Sequence, residues 1–138
     1  MPDLATTLVI FGASGDLTHR KLIPALYHLH RKGRLPARVR IVGFARRPWS
    51  EDDFRSQLRA GLEEFSPKEF DAGVWAAFAA QIAYFKGDLN TAADYAGLGQ
   101  RLTELEGGAA TNRLYYLATG PEYYSAIASN LGAAGLAE

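Results

Sequence analysis

The chain has 138 residues, 48% of them hydrophobic and 22% charged, which is typical of one globular domain and excludes a disordered protein. It contains no cysteine, which excludes disulfide bonds, catalysis by a thiolate and zinc held by cysteine. No apolar run approaches the length of a membrane span, and the first residues lack the basic and apolar regions of a signal peptide, so we expect a cytoplasmic protein with no membrane partner.

The formal net charge is zero, but basic and acidic residues are concentrated in different parts of the chain. Residues 17–50 contain nine Lys or Arg and no Asp or Glu, whereas residues 51–106 contain eleven acidic residues and five basic ones. This distribution is compatible with two solvated faces, or with an anion-binding end built from the first β-α-β unit. Nucleic acid is not the predicted partner, because no recognisable binding motif is present. We therefore favour a small phosphorylated ligand.

The first predicted strand, residues 7–11, is an apolar, β-branched run that stops at a glycine. Gly12 and Gly15 have no Cβ, so the backbone after the strand can turn sharply and approach a ligand closely. Asp16 is placed to cap the next helix, whose main body is predicted over residues 22–32 after a first turn made irregular by Pro24. A strand, a glycine turn and a helix N-terminus together present N–H groups to a phosphate. The spacing predicts a dinucleotide-binding turn formed by Gly12, Ala13, Ser14, Gly15, Asp16 and Leu17.

The second predicted strand covers residues 38–45 and is followed by Arg46 and Arg47. In dinucleotide-binding folds the adenosine ribose lies at the end of this strand, where an acidic residue binds the ribose of NAD and an arginine accommodates the 2′-phosphate of NADP. Two exposed arginines without a ligand are the plainer alternative, but the position favours a role for Arg46. Its planar guanidinium suits a phosphate, and Arg47 is a candidate to add charge or to stack on the adenine. NADP is therefore the predicted cofactor, with NAD as the alternative.

Two helices are predicted between the second and third strands. Ser50 is a typical N-cap and is followed by three acidic residues, which favour a helix start. Helical spacing of apolar residues continues to Phe65, and Pro67 then interrupts it. A second helix is predicted from about Lys68. We interpret the aromatic residues of both helices as core.

The third predicted strand, residues 82–86, is followed by Gly87, Asp88 and Leu89. The loop after this strand often lines the adenine pocket in doubly wound folds, so all three residues are candidate cofactor contacts. For Asp88 a second interpretation stays open, in which it caps the next helix at Thr91.

The remaining elements are a helix over about residues 91–106, a fourth strand over residues 112–119 and a last helix over about residues 122–134. Strands that alternate with helices are typical of a parallel sheet with helices on both faces. The pattern therefore predicts an α/β fold, a Rossmann-like, doubly wound parallel sheet in three αβα layers.

The string over residues 12–27 resembles the N-terminal signature of glucose-6-phosphate dehydrogenases, written roughly G-A-S-G-D-L-x-x-R-K-L-x-P-A-L-Y. The glycine turn itself is G-x-x-G, with Thr18 where an extended G-x-x-G-x-x-G would place a third glycine. The end of the second strand resembles the family's V-G-x-A-R, in which Arg46 is the arginine. Two further strings resemble the family, namely Y-L-A at residues 116–118 and N-L-G-x-A-G-L at residues 130–136. After Y-L-A, Gly120 replaces the first residue of a usual proline pair, which we expect to loosen the loop.

The resemblance implies that residues 1–138 are the NADP-binding domain of such an enzyme, without the C-terminal α+β domain that binds substrate and carries the dimer surface. The family oxidises glucose 6-phosphate to 6-phosphogluconolactone by hydride transfer to NADP, in the first step of the oxidative pentose phosphate pathway. Its catalytic base lies in an R-x-D-H-Y-L-G-K stretch that this sequence lacks. We therefore expect cofactor binding without turnover, and a homo-oligomer for the full-length enzyme.

The resemblance alone implies three further site residues. The family lysine that matches Lys21 reaches the active site, so Lys21 is a candidate auxiliary residue, with an exposed lysine on a helix turn as the alternative. Ala118 and Pro121 match the loop at the nicotinamide end. A free-standing NADP-binding or redox-sensing module stays open as a second function, because it requires the glycine turn and Arg46 but no catalytic base.

Overall fold

Four parallel strands form one sheet at the centre of the structure, a computed structural model that describes residues 5–15, 18–33, 39–65, 67–68, 70–107 and 111–136. The strands are β1 (Ala5–Phe11), β2 (Val39–Ala45), β3 (Ile82–Lys86) and β4 (Thr111–Leu117), in the spatial order β3-β2-β1-β4. Each is rich in β-branched, aliphatic or aromatic residues that favour strands. All four predicted strands are confirmed, to within two residues at their ends.

The helices are α1 (Ile23–Arg31), α2 (Glu51–Phe65), α3 (Ala72–Ala79), α4 (Ala92–Glu106) and α5 (Tyr124–Ala133). A π-helical turn, Thr18–Leu22, precedes α1, and a 3-10 turn, Pro121–Tyr123, precedes α5. The irregular turn predicted before α1 is confirmed, and Pro24 falls at the start of the regular helix, where a missing N–H costs no bond. In the part of the chain that the structure describes, no helix has the length and apolar character needed to cross a membrane.

The sheet buries a separate hydrophobic core on each face. Because strand residues alternate between faces, Ile10, Ile41 and Ile82 pack with α1, α2 and α3. Val9 and Phe11 lie on the other face, with α4 and α5. The result is three layers, with helices on both sides of a parallel sheet. This confirms the predicted α/β, Rossmann-like, doubly wound fold.

The order of the strands reverses beside β1. From β1 the chain adds β2 and then β3 on one side, and it returns through α4 to place β4 on the other side of β1. Since β1 pairs in parallel with both β2 and β4, the carboxyl ends of the strands stand at one edge of the sheet. Ligand clefts of open parallel sheets form at this edge, where neighbouring connections run to opposite faces.

Two helix starts show how local sequence sets the boundaries. At α2 the predicted cap is confirmed, because the Asp53 N–H donates to the Ser50 hydroxyl over 3.0 Å and the Ser50 N–H donates to the Asp53 carboxylate over 3.1 Å. The predicted start of α3 near Lys68 is wrong, since the helix begins at Ala72. The Asp71 carboxylate accepts from two N–H groups of the first turn, at 2.9 and 3.0 Å, and so sets the later start.

An ion pair fixes the end of α4 to the sheet. Arg113 of β4 lies 2.6 Å from the Glu106 carboxylate, whose side chain is only 3% exposed. The Thr7 hydroxyl donates to the same carboxylate over 3.0 Å. Burial acts to raise the pKa of Glu106, but the hydrogen bonds from Arg113 and Thr7 hold it below its usual value.

Candidate functional site

A cleft of about 620 Å³ opens at the carboxyl edge of the sheet, a volume in the range of sites for small molecules and cofactors. The residues after β1, β2 and β3 form its walls, namely Gly12, Ser14, Gly15, Phe44, Ala45, Arg46, Arg47, Pro48, Gly87 and Leu89. Seven of these residues are predicted cofactor contacts. They come from three separate stretches of the sequence, and the fold brings them together.

The turn after β1 requires glycine at its first position. Gly12 has a φ of +85°, and a Cβ there would lie 2.6 Å from the Ala118 carbonyl oxygen. The Gly12 N–H donates to the Phe44 carbonyl over 3.0 Å, and the Gly15 N–H donates to the Gly12 carbonyl over 2.9 Å. The turn is thus held between the ends of β2 and β4, and Gly12, Ser14 and Gly15 line the cleft.

Thr18 stands where an extended glycine motif would have its third glycine. Its side chain is fully buried, and its hydroxyl donates to the Gly12 carbonyl oxygen over 3.2 Å. The threonine therefore ties the π-helical turn to the glycine turn, through a side-chain bond that a glycine does not offer.

The two arginines after β2 are exposed and line the cleft. The guanidinium of Arg47 lies 6.0 Å from the centre of the Trp49 ring, at the edge of the cation–π range. Arg47 thus contacts an aromatic ring of its own chain, whereas its contact with adenine stays a prediction. Arg46 is the first residue after β2 and the one nearest to where the adenosine ribose is expected.

A second hollow of about 480 Å³ adjoins the cleft on the side of β3, and Arg46 and Gly87 line both. Its other lining residues are Lys86, Asp88 and Asp94. Lys86 is a site candidate that the sequence pattern did not indicate, because it ends a strand and has no motif of its own. The available signal is the parallel register, which pairs Ala45 with Lys86 and so brings this lysine beside Arg46.

The loop after β3 is held by one hydrogen bond to the end of β2 and by another within the loop. The Gly87 N–H donates to the Ala45 carbonyl over 2.8 Å, and a Cβ at this glycine would overlap an aromatic ring of β2. The Asp88 carboxylate accepts from the Asn90 N–H over 2.8 Å. It therefore stabilises the turn before α4, and the side chain of Thr91 makes no cap bond. Contacts of Asp88 with adenine stay a prediction.

Tyr84 of β3 lies beneath the turn formed by Arg46 and Arg47. Its hydroxyl donates to the Arg47 carbonyl over 2.7 Å and also lies 3.2 Å from the Ala45 carbonyl oxygen. Burial raises the pKa of Tyr84 to about 12, against a smaller lowering by the Arg47 cation, so the hydroxyl is a neutral donor near neutral pH. The sequence indicated only a strand residue here, because strand alternation does not show which group a hydroxyl reaches.

Four of the predicted site residues either line neither cavity or lie outside the described residues. Ala13 is fully buried in the core, so its side chain is not available to a ligand. Lys21 is exposed on the π-helical turn and lines neither cavity. Asp16 and Leu17 lie outside the described residues. The auxiliary role of Lys21 therefore stays a prediction from the family resemblance.

The loop after β4 lies against the glycine turn. The Ala118 N–H donates to the Phe11 carbonyl over 2.9 Å and continues the pairing of β1 with β4. Pro121 opens the 3-10 turn and is exposed. Gly120 has a φ of −63° and a ψ of 150°, a conformation that a proline would also adopt. The backbone at Gly120 therefore follows a path that is open to proline, and the loosening of this loop stays a prediction.

The described residues around the two cavities offer cations, backbone groups and the carboxylates of Asp88 and Asp94, but no histidine side chain. Nor does the described part of the chain group three His, Asp or Glu side chains closely enough to hold a metal ion. Cations beside a glycine turn that lines the cleft suit the binding of a phosphorylated ligand.

Comparison with known families gives one match over nearly the whole chain. The family model described as "Glucose-6-phosphate dehydrogenase, NAD binding domain" matches residues 9–138. The glucose-6-phosphate 1-dehydrogenase of Chlamydia pneumoniae is 45% identical over 126 residues, which are 90% of this chain and 25% of that protein. The enzyme of the same name from Mycolicibacterium smegmatis is 39% identical over 130 residues, or 93% of this chain and 26% of that protein. The chain thus spans about a quarter of the length of these relatives.

Solved structures show the same relationship. The crystal structure of glucose-6-phosphate 1-dehydrogenase from Mycobacterium avium superposes with a TM-score of 0.85 at 29% identity, over 97% of this chain and 28% of that one. A glucose-6-phosphate dehydrogenase in complex with its substrate glucose 6-phosphate superposes with a TM-score of 0.82 at 31% identity, over 95% and 28% of the two chains.

Proposed function

The chain belongs to the glucose-6-phosphate dehydrogenase family, and on that premise we propose that residues 1–138 are the coenzyme-binding domain of a glucose-6-phosphate 1-dehydrogenase whose cleft binds NADP. The whole enzyme would oxidise glucose 6-phosphate to 6-phosphogluconolactone in the first step of the oxidative pentose phosphate pathway. The matched family model is that of an NAD-binding domain, which supports a nicotinamide dinucleotide as the cofactor. The preference for NADP rests on this chain's own residues.

One observation carries the preference for NADP, namely an exposed arginine between the cleft and the adjoining hollow. Arg46 follows β2, at the place where an NAD-binding domain has an acidic residue for the ribose. Its guanidinium offers a planar pair of donors to the 2′-phosphate. Lys86 lines the same hollow and adds a second positive charge. Asp88 and Asp94 also line this hollow, but each carboxylate already accepts a backbone N–H of the loop after β3.

The residues of the cleft fit the rest of a dinucleotide. The turn of Gly12, Ser14 and Gly15 lines the cleft where a pyrophosphate would lie, and glycine at its first position lets the backbone pass close to the end of β4, where a Cβ would have no space. Gly87 and Leu89 would form the adenine end, and Ala118 and Pro121 the nicotinamide end. These assignments extend from the ends of β3 to β4, across the strand at which the sheet order reverses.

The residues of this chain bind and orient, and they do not supply the catalytic base. Bound NADP would supply the acceptor for the hydride that leaves C1 of the sugar. The proton of the C1 hydroxyl must pass to a base at the same time, and the family's R-x-D-H-Y-L-G-K stretch is not in this sequence. We therefore infer that these 138 residues bind NADP without oxidising glucose 6-phosphate. Lys21 would assist at the substrate side only in the whole enzyme, which we expect to be a homo-oligomer.

Nuclear magnetic resonance of the isotope-labelled chain, titrated with NADP, tests the location of the site. We expect the largest shifts at the backbone amides of Gly12, Gly15, Arg46 and Gly87, and no shift at Gly107 at the end of α4. Shifts concentrated away from the carboxyl edge of the sheet would contradict the proposal. In a parallel assay with glucose 6-phosphate and NADP we expect no NADPH, and steady turnover by the chain alone would refute the assignment of the base to a missing part.

A further inference from the structure

Tyr84 contacts the backbone on both sides of Arg46. Its hydroxyl oxygen lies 2.7 Å from the Arg47 carbonyl oxygen and 3.2 Å from the Ala45 carbonyl oxygen. The two acceptors belong to the residues immediately before and after Arg46. The hydroxyl therefore bridges the turn from which the Arg46 side chain projects.

Both carbonyls also accept a backbone hydrogen bond. The Gly87 N–H donates to the Ala45 carbonyl, and the Trp49 N–H donates to the Arg47 carbonyl, each over 2.8 Å. The tyrosine bond is thus added to a turn that the backbone already closes. Its removal is expected to loosen the turn without unfolding the domain.

The ring that carries this hydroxyl has little freedom of its own. It is 8% exposed, and its centre lies 4.8 Å from that of Phe54 and 5.9 Å from that of Trp49. Aromatic packing of this kind restricts the orientation of the ring, and the ring in turn fixes the position of the hydroxyl beneath the turn. Tyr84 is therefore a rigid support that reaches from β3 to the end of β2.

We propose that Tyr84 is a positioning residue for recognition of the 2′-phosphate of NADP, and that it acts through the backbone of Arg46 and Arg47. The inference rests on the proposed function, because it takes Arg46 as the group that binds the phosphate. A side chain on a loose turn must be ordered when its ligand binds, and that ordering reduces affinity. Tyr84 lowers this cost for NADP. NAD lacks the phosphate, so its affinity does not depend on the order of Arg46.

The test is the substitution Tyr84→Phe, which keeps the packed ring and removes only the hydroxyl. Calorimetric titration is expected to show the Kd for NADP rising about five- to tenfold, the effect of one lost hydrogen bond, while the Kd for NAD changes less than about twofold. In an Arg46→Ala background the same substitution is expected to leave the Kd for NADP unchanged within about twofold, since coupled residues are not additive. A thermal melt checks that each variant is folded.

Tyr115→Phe is the matched control. The Tyr115 hydroxyl donates to the Leu136 carbonyl over 2.7 Å, the same type of bond as that of Tyr84. Neither Tyr115 nor Leu136 lines the cleft. We expect this variant to keep the wild-type ratio of the two Kd values.

An unchanged ratio in Tyr84→Phe would overturn the inference, as would an equal rise in both Kd values. Either result, in a chain whose wild type prefers NADP through Arg46, would leave the proposed function intact. A wild-type chain without preference for NADP would overturn the proposed function itself, and the inference with it.

Discussion

The Thr18 hydroxyl lies 3.2 Å from the Gly12 carbonyl oxygen, so the first residue of the π-helical turn is tied to the first residue of the glycine turn. The same oxygen accepts the Gly15 N–H over 2.9 Å. Two donors on this oxygen offset part of the negative charge that a phosphate would otherwise meet at the turn. We therefore expect Thr18, in place of a third glycine, to strengthen the turn and to favour an anion beside it.

Replacing Thr18 with valine tests this role, because valine keeps the shape and removes the donor. The free energy of unfolding is expected to fall by about 1–2 kcal/mol, since the hydroxyl is buried and its acceptor loses a partner. Affinity for NADP and NAD is expected to fall by the same factor, because the pyrophosphate is common to both. Chemical denaturation and calorimetry measure the two effects.

Thr103→Val serves as the control for that substitution. The Thr103 hydroxyl is exposed and donates to the Gly99 carbonyl within α4. Its loss is expected to change the free energy of unfolding by less than about 0.5 kcal/mol. A Thr18→Val variant as stable as this control would contradict a stabilising role of the Thr18 hydroxyl. A variant that loses affinity for NADP but not for NAD would contradict its effect on the shared pyrophosphate.

Alanine substitutions at two glycines are expected to have opposite effects on stability. At Gly12 an alanine meets both a positive φ and the Ala118 carbonyl, so Gly12→Ala is expected to lower the free energy of unfolding by roughly 1–3 kcal/mol and to abolish cofactor binding. At Gly132 in α5 a Cβ would meet nothing within 4 Å. Gly132→Ala is therefore expected to raise the free energy of unfolding by about 0.5–1 kcal/mol. Thermal melts of both variants check the contrast, and a neutral Gly12→Ala would show that the turn adopts another conformation.

The ion pair of Glu106 and Arg113 predicts a loss of stability in acid. The folded protein holds the pKa of Glu106 below that of the unfolded chain, so the carboxylate stabilises the fold above the unfolded pKa. That contribution is lost as the pH falls through the folded pKa. Glu106→Gln is expected to be less stable than wild type at neutral pH, by about 3 kcal/mol, because Arg113 loses its partner.

Denaturation across the acid range distinguishes the pair from simple packing. We expect the stability of Glu106→Gln to depend less steeply on pH than that of wild type, so that the two curves converge in acid. Parallel curves would mean that Glu106 is not ionised in the fold. Asp52→Asn, at a fully exposed carboxylate of α2, is the control and is expected to follow wild type.

The strands and the glycine turn were predictable from sequence because their signals are local. An apolar run bounded by glycine indicates a buried strand, and four such runs separated by helical patterns indicate a parallel sheet. The start of α3 was misplaced for a local reason too. The prediction places the helix directly after the break at Pro67, whereas the helix begins only after Asp71, whose carboxylate accepts from the N–H groups of its first turn.

The parts of the candidate site that sequence did not reveal depend on pairing between distant strands. Lys86 joins Arg46 only because β3 lies beside β2 in a register that pairs Ala45 with Lys86. Tyr84 reaches the turn after β2 for the same reason, and nothing in its own stretch points to a carbonyl far along the chain. Residues that touch a ligand often carry a motif, but residues that support them are found only from the fold.

Calorimetric titration of the chain with NADP and with NAD, repeated on Arg46→Ala, tests the central claim most directly. We predict that wild type binds NADP more tightly than NAD. Arg46→Ala is expected to raise the Kd for NADP about ten- to a hundredfold, the range for a charge-assisted hydrogen bond. The Kd for NAD is expected to stay unchanged. Arg31→Ala, at an exposed cation of α1 outside the cleft, is expected to leave both affinities unchanged. Equal affinity for NADP and NAD, unaffected by Arg46→Ala, would contradict the assignment of Arg46 to the 2′-phosphate.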